Sequence, residues 1–163
     1  MSLIPFSTLP DNSQLWVFGM ERYLDSSEEN VFLQKLDDFL QSWSAHGKMM
    51  ICGRELRHSR FLFVAVDLNS VPPSGCSIDK LVHFLKNQEM ALKVKILDKS
   101  PIWYREDERI ERVGRLDFRD LAEKGAVSME STVFDNSIAR LFQLRNGEWE
   151  KTVQDSWHKT FFS

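Results

Sequence analysis

Two cysteines, Cys52 and Cys76, are too few for a disulfide scaffold, and without a CxxC or HExxH pairing they make no zinc knuckle. Phosphate loops are also missing. The one Gly-Lys pair, Gly47-Lys48, lacks both the upstream glycine and the following hydroxyl of GxxxxGK[ST], and neither GxGxxG nor GxSxG occurs. Positive charge is not in excess: 21 Lys and Arg against 24 Asp and Glu leave a net charge of -3. That balance excludes the broad basic field on which general nucleic-acid binding draws. No apolar run approaches the roughly 18 to 20 residues of a membrane span. Residues 1–12 have neither a basic start nor a long apolar core, so the expectation is a cytoplasmic protein away from membranes. No spacing implies a metal or a cofactor.

What the chain does hold is aromatic mass. Twelve Phe and five Trp stand against two Tyr, within a hydrophobic fraction of 42% over 163 residues. This is about one domain with a large core or a well-packed interface, and the expectation is a single domain over 1–163.

The apolar run of residues 15–20 predicts a first strand. Ser26 with Glu29 reads as a capping box, and Phe32, Leu36, Phe39, Leu40 and Trp43 then follow at helical spacing. That helix should stop near Ala45-His46-Gly47, with Gly47 in the left-handed C-terminal position. Residues 49–56 and 60–67 predict a hairpin about Arg57-His58-Ser59. A second helix is expected over 78–90, with Ser77 as its cap and Leu81, Val82 and Leu85 inward. Alternation over 92–97 predicts a further strand. The order βαββαβ over about 13–98 is that of a ferredoxin-like α+β fold, with a four-stranded antiparallel sheet and both helices on one face.

Residues 99–163 read as a β/α extension: a second hairpin over 102–105 and 109–113, a short helix over 117–124 capped by Asp117, and a strand at Thr132-Val133-Phe134. In Arg60-Phe61-Leu62-Phe63-Val64-Ala65-Val66 both alternating sets are apolar, so both faces of the sheet need cover. The extension, with its aromatic tail, is expected to supply the second face.

In that topology the first helix ends, the second begins, and the third and fourth strands finish at one edge. His46, Asp67, Gly75, Cys76, Asp79 and Asp98 would gather there. A thiol beside a helix N-terminus is biased toward thiolate, and a His with an Asp would complete a Cys-His-Asp arrangement. The plain alternative is that Ser77 caps the helix, Gly75 makes the turn and Cys76 fills a gap. Two carboxylates with a His could hold a divalent cation, but no tight spacing supports it. Trp16, Phe18, Phe61 and Phe63 could stack RNA bases on the sheet, or be core.

Ile4-Pro5-Phe6 with Leu9-Pro10, Trp43-Ser44-Ala45-His46-Gly47, Arg60-Phe61, Gly75-Cys76-Ser77-Ile78-Asp79 and Ser156-Trp157-His158 resemble a family of short bacterial proteins of about this length. Its members are often labelled "ABC transporter ATPase". The resemblance covers nearly the whole chain and is most specific in the GCSID and SWH elements. It implies a cytoplasmic protein and draws attention to the surroundings of His46, Cys76 and His158. The label conflicts with the missing phosphate loop, so no ATPase of that kind is expected.

Two functional readings follow. One is a non-enzymatic binding or interaction domain, monomer or homodimer, with a protein or small-molecule partner. The other is a thiol-dependent enzyme or redox sensor built on Cys76 with His46, His158 and Asp67. Arg60, Gly75, Ser77, Asp79 and Asp98 are the expected ligand-binding residues.

Overall fold

In the computed structural model, which describes residues 2–162, the first half of the chain forms β1 (Gln14–Gly19), α1 (Ser26–Gln41), a short hairpin of β2 (Ser44–Ala45) and β3 (Lys48–Met49), β4 (Cys52–Arg57), β5 (Phe61–Val66) and α2 (Gly75–Leu92). The second half adds β6 (Ile102–Glu106), β7 (Arg109–Val113), α3 (Arg115–Glu123), β8 (Thr132–Phe134), α4 (Leu141–Arg145) and β9 (Glu150–Thr152). It finishes in 3-10 turns at Val153–Asp155 and Trp157–Phe162.

The result is a mixed α+β structure with antiparallel sheets. One sheet runs β1–β5–β4 and the other β7–β6–β8–β9. Period-2 alternation sorts the side chains of β5: Leu62, Val64 and Val66 face a core with Phe32, Leu36 and Leu40 of α1 and Leu81 and Leu85 of α2. Phe61, Phe63 and Ala65 face a different core with Trp103, Phe134 and Trp149. The other face of the second sheet carries Ile102, Tyr104 and Val133 under Phe118 of α3, with Phe161 and Phe162 alongside. The order of layers is therefore helices, sheet, sheet, and α3 with the tail. Phe61 and Phe63, both 0% exposed, each contribute roughly 1.5 to 3 kcal/mol by leaving water. Their burial between sheets leaves no stacking platform for bases.

The hairpin expected about residues 57–59 is present, with β4 and β5 paired from Cys52↔Val66 to Arg57↔Phe61. Several local expectations shift. The first capping box uses Asp25 and Glu28 rather than Ser26 and Glu29: Asp25 Oδ1 accepts from Glu28 N at 2.8 Å and Glu28 Oε1 accepts from Asp25 N at 3.0 Å. Arg22 holds the Glu28 carboxylate bidentately and helps lower it to about 2. α1 ends at Gln41, and His46 (φ 53) and Gly47 (φ 75) instead make the tight turn between β2 and β3. α2 starts one turn early, capped by Ser74 with Ser77 at its third position, and Val82 is 39% exposed rather than inward. α3 begins after Gly114, so Asp117 lies in its first turn instead of capping it.

The fourth strand expected over residues 92–97 does not form, and the first sheet has three strands. Alternation survives there, with Val94 and Ile96 buried against the helix-side core. The amides are otherwise engaged. Glu89 Oε2 accepts from Ile96 N at 2.7 Å and Leu97 N at 2.9 Å, and only Lys95 O is met by a backbone donor near β1, the Glu21 N–H at 3.0 Å. A carboxylate reaching forward from α2 has replaced the ladder.

Candidate functional site

The expected corner forms in part: Trp43 Nε1 donates to Ser77 O at 2.8 Å and sets the β2–β3 hairpin against the start of α2, but among the described residues the chemical groups do not bond to one another. Cys76 is exposed in the first turn of α2, and His46 is exposed in the β2–β3 turn. Asp67 is half-buried and accepts from Asn69 N, while Asp79 is exposed. Gly75 opens α2, and Ser77 is spent in the reciprocal cap with Ser74. His158 lies in the far layer, 1% exposed, 2.5 Å from Ser156 Oγ and 6.3 Å from the Phe118 ring centre. Among the described residues, no hydrogen bond or ion pair joins Cys76 to His46, His158 or Asp67, and no cluster of three His, Cys, Asp or Glu could hold a metal ion. Arg60 is a bracket rather than a ligand seat: buried, it donates to the carbonyls of Met20, Glu21 and Ile110.

A different site forms at the rim between the two sheets, where a cavity of about 230 Å³ is lined by Lys99, Trp103, Arg115, Phe134, Asn136, Ser137 and Trp157. Trp103 of β6 is fixed by its indole N–H, which donates to Met20 O at 3.1 Å, and by Arg112, whose guanidinium lies 5.7 Å from the ring centre. Gly19 ends β1 against this ring. A Cβ there would fall 2.6 Å from Trp103 Cζ2.

Two similar turns shape the opening. In Asp98-Lys99-Ser100, Asp98 Oδ1 accepts from Ser100 N and Ser100 Oγ. Those bonds, with Arg112 at 3.6 Å, hold its carboxyl below the usual range. In Asp135-Asn136-Ser137, Asp135 Oδ1 accepts from Ser137 N, Ser137 Oγ and Trp157 Nε1, and Oδ2 pairs with Lys151 at 3.0 Å. Burial opposes that charge, but the donors outweigh it and Asp135 stays below its ordinary value. Both carboxylates are thus paired, Asp98 with Arg112 at 3.6 Å and Asp135 with Lys151 at 3.0 Å.

The two cations of the lining are not. Arg115 donates Nε–H to Ser100 O at 2.8 Å and lies 5.4 Å from the Trp157 ring centre. Lys99 as a whole residue is exposed, yet its ammonium sits 5.1 Å from the Phe18 ring centre and 3.5 Å from Val17 O, and burial lowers it from the usual lysine value. Among the described residues neither meets a carboxylate at ion-pair distance. Asn136 Oδ1 accepts from Trp149 Nε1 at 2.8 Å, which fixes the amide, and its buried Nδ2 has no acceptor.

A larger, more open groove of about 320 Å³ beside Ile4, Phe6, Asp37 and Arg54 offers less chemistry. There Asp37 takes two Arg54 donors at 2.7 Å each.

Sequence reasoning missed Lys99, Trp103, Arg115, Asn136 and Ser137. Asp-x-Ser turns at 98–100 and 135–137 carry Lys99, Asn136 and Ser137, but the same pattern recurs at 11–13 and 25–27 and marks no site by itself. Of the quoted motifs, Ser156-Trp157-His158 does reach the cavity, through Trp157. No family model, curated protein or solved structure matches this chain.

Proposed function

We propose that the protein is a small-molecule binding domain without ATPase activity, with its ligand seat in the rim cavity between the sheets. The observation that carries this reading is the pairing of an aromatic-walled cavity with two cations, Lys99 and Arg115, that no carboxylate neutralises among the described residues. Pockets of apolar wall with a few convergent polar groups are where small ligands bind. The β1–β5–β4 order, with α1 and α2 on one face, supports reading the first layer as a ferredoxin-like core in which residues 92–97, held by Glu89, lie where the fourth strand would be. The thiol reading is weaker, because Cys76 stands without a base bonded to it and His158 is buried in another layer.

The test is a crystal soak with a mixture of one-ring fragments. Density between Trp103 and Trp157 supports the assignment. Density confined to the Arg54 groove or to the exposed face of α2 overturns it.

A further inference from the structure

The cavity's chemistry also restricts what it can take. Its volume, about 230 Å³, falls below the roughly 300 Å³ at which drug-sized pockets begin, so it suits one ring with a short substituent. Its walls are aromatic: Trp103, Phe134 and Trp157 line it, and a ring fits among them by edge-to-face or offset packing.

Charge sets the substituent. The two nearby carboxylates are consumed, Asp98 by Ser100 and Arg112 and Asp135 by Ser137, Trp157 and Lys151. A cationic guest would therefore meet two unpaired cations and no unpaired carboxylate among the described residues. Arg115 has committed Nε to Ser100 O, which orients the guanidinium and leaves its terminal nitrogens for a two-pronged contact. Lys99 sits where its ammonium is poorly solvated, so an arriving anion restores favourable interaction that the empty cavity lacks. Asn136 adds a buried Nδ2 donor with no acceptor of its own.

Resting on the binding reading above, we propose that the ligand is a single planar ring bearing one carboxylate. The ring packs among the indoles, and the carboxylate is met by Arg115 and Lys99.

The probes are benzoate, benzamide, acetate and inorganic phosphate, titrated into the full chain at low ionic strength. Indole N–H signals of Trp103 and Trp157 are followed by NMR. Benzoate is expected to move both saturably, benzamide to bind at least about ten-fold more weakly through loss of the charge-assisted bonds, and acetate and phosphate to leave the indole signals in place. Arg115→Gln and Lys99→Gln should each weaken benzoate several-fold more than benzamide, with the remaining spectrum showing that both variants fold. Equal affinity for benzamide and benzoate overturns the carboxylate while the cavity still binds a ring. Acetate or phosphate binding as tightly as benzoate overturns the ring. Absence of any shift up to millimolar benzoate overturns the ligand class, and the fragment soak then decides separately whether the cavity binds anything.

Discussion

Gly19 and Trp103 are locked together: the indole of the second sheet occupies the space where any side chain at position 19 of the first would begin, 2.6 Å from an ideal Cβ. Asn136 Nδ2 closes the same space at 2.9 Å. Gly19→Ala must displace one of the two walls of the cavity. The expected cost is about 1 to 3 kcal/mol by overpacking, read as a lower urea midpoint with an unchanged slope, together with a shifted Trp103 indole signal. An unaltered midpoint and signal would show that the ring has room to move.

Arg60 ties the end of the first hairpin to the second sheet through the carbonyls of Met20, Glu21 and Ile110, at 3.1, 2.7 and 2.5 Å. Tyr23 completes the bracket, its hydroxyl accepting from Ile110 N at 2.7 Å. Arg60→Met leaves the Glu21 and Ile110 carbonyls without this donor, while Met20 O keeps the Trp103 indole, and should cost about 2 kcal/mol or more. Arg60→Lys, with one ammonium in place of a fork, should recover only part of that loss in the same denaturation series.

His158 is held neutral. Burial pushes it down to about 4, with Asp135 opposing and Lys151 and Arg115 adding to the shift. The unfolded chain takes up a proton there below about 6.5, and the folded chain does so only near 4. In that window the unfolded state binds more protons, so this group's contribution is complete above about pH 6.5 and is lost as pH falls toward 4. The difference is about 3 kcal/mol between the ends of the window. His158→Gln keeps a partner for Ser156 without titrating. Its stability should fall less steeply than wild type between pH 7 and 4, and parallel curves would assign the acid sensitivity to other groups.

The two cysteines should separate cleanly under iodoacetamide. Cys52 is buried, and burial raises its thiol to about 12, whereas Cys76 is exposed. Mass spectrometry of the folded protein is expected to find label on Cys76 alone at neutral pH. Cys76→Ser should change stability by less than about 0.5 kcal/mol, as an exposed position with no bonded partner.

Local patterns were readable where a side chain reports on its own element. The period of Phe32, Leu36 and Leu40 placed a helix face, and the double-sided apolar run of residues 61–66 announced a strand covered on both sides. Where a distant or competing group decided, the pattern misled. Residues 92–97 alternate like a strand, but Glu89 takes two of the amides that a ladder needs. Helix starts moved because Asp25 and Ser74 were better placed acceptors than the residues after them. The cavity was illegible for a stronger reason: Gly19, Lys99, Trp103, Arg115, Asn136 and Trp157 meet only after both sheets have packed, and no spacing along the chain encodes that meeting.

The sheet β1–β5–β4 belongs to two cores at once, and this limits how the molecule can move. β5 is hydrogen-bonded along both sides and covered on both faces, so its amides can exchange with solvent only when the whole chain opens. No hinge is available between the halves, because separating them would expose Phe61, Phe63, Phe134 and Trp149 together. Trp157, 38% exposed at the mouth of the rim cavity, is tied to the second half by its indole bond to Asp135 and by stacking on His158 at 4.0 Å.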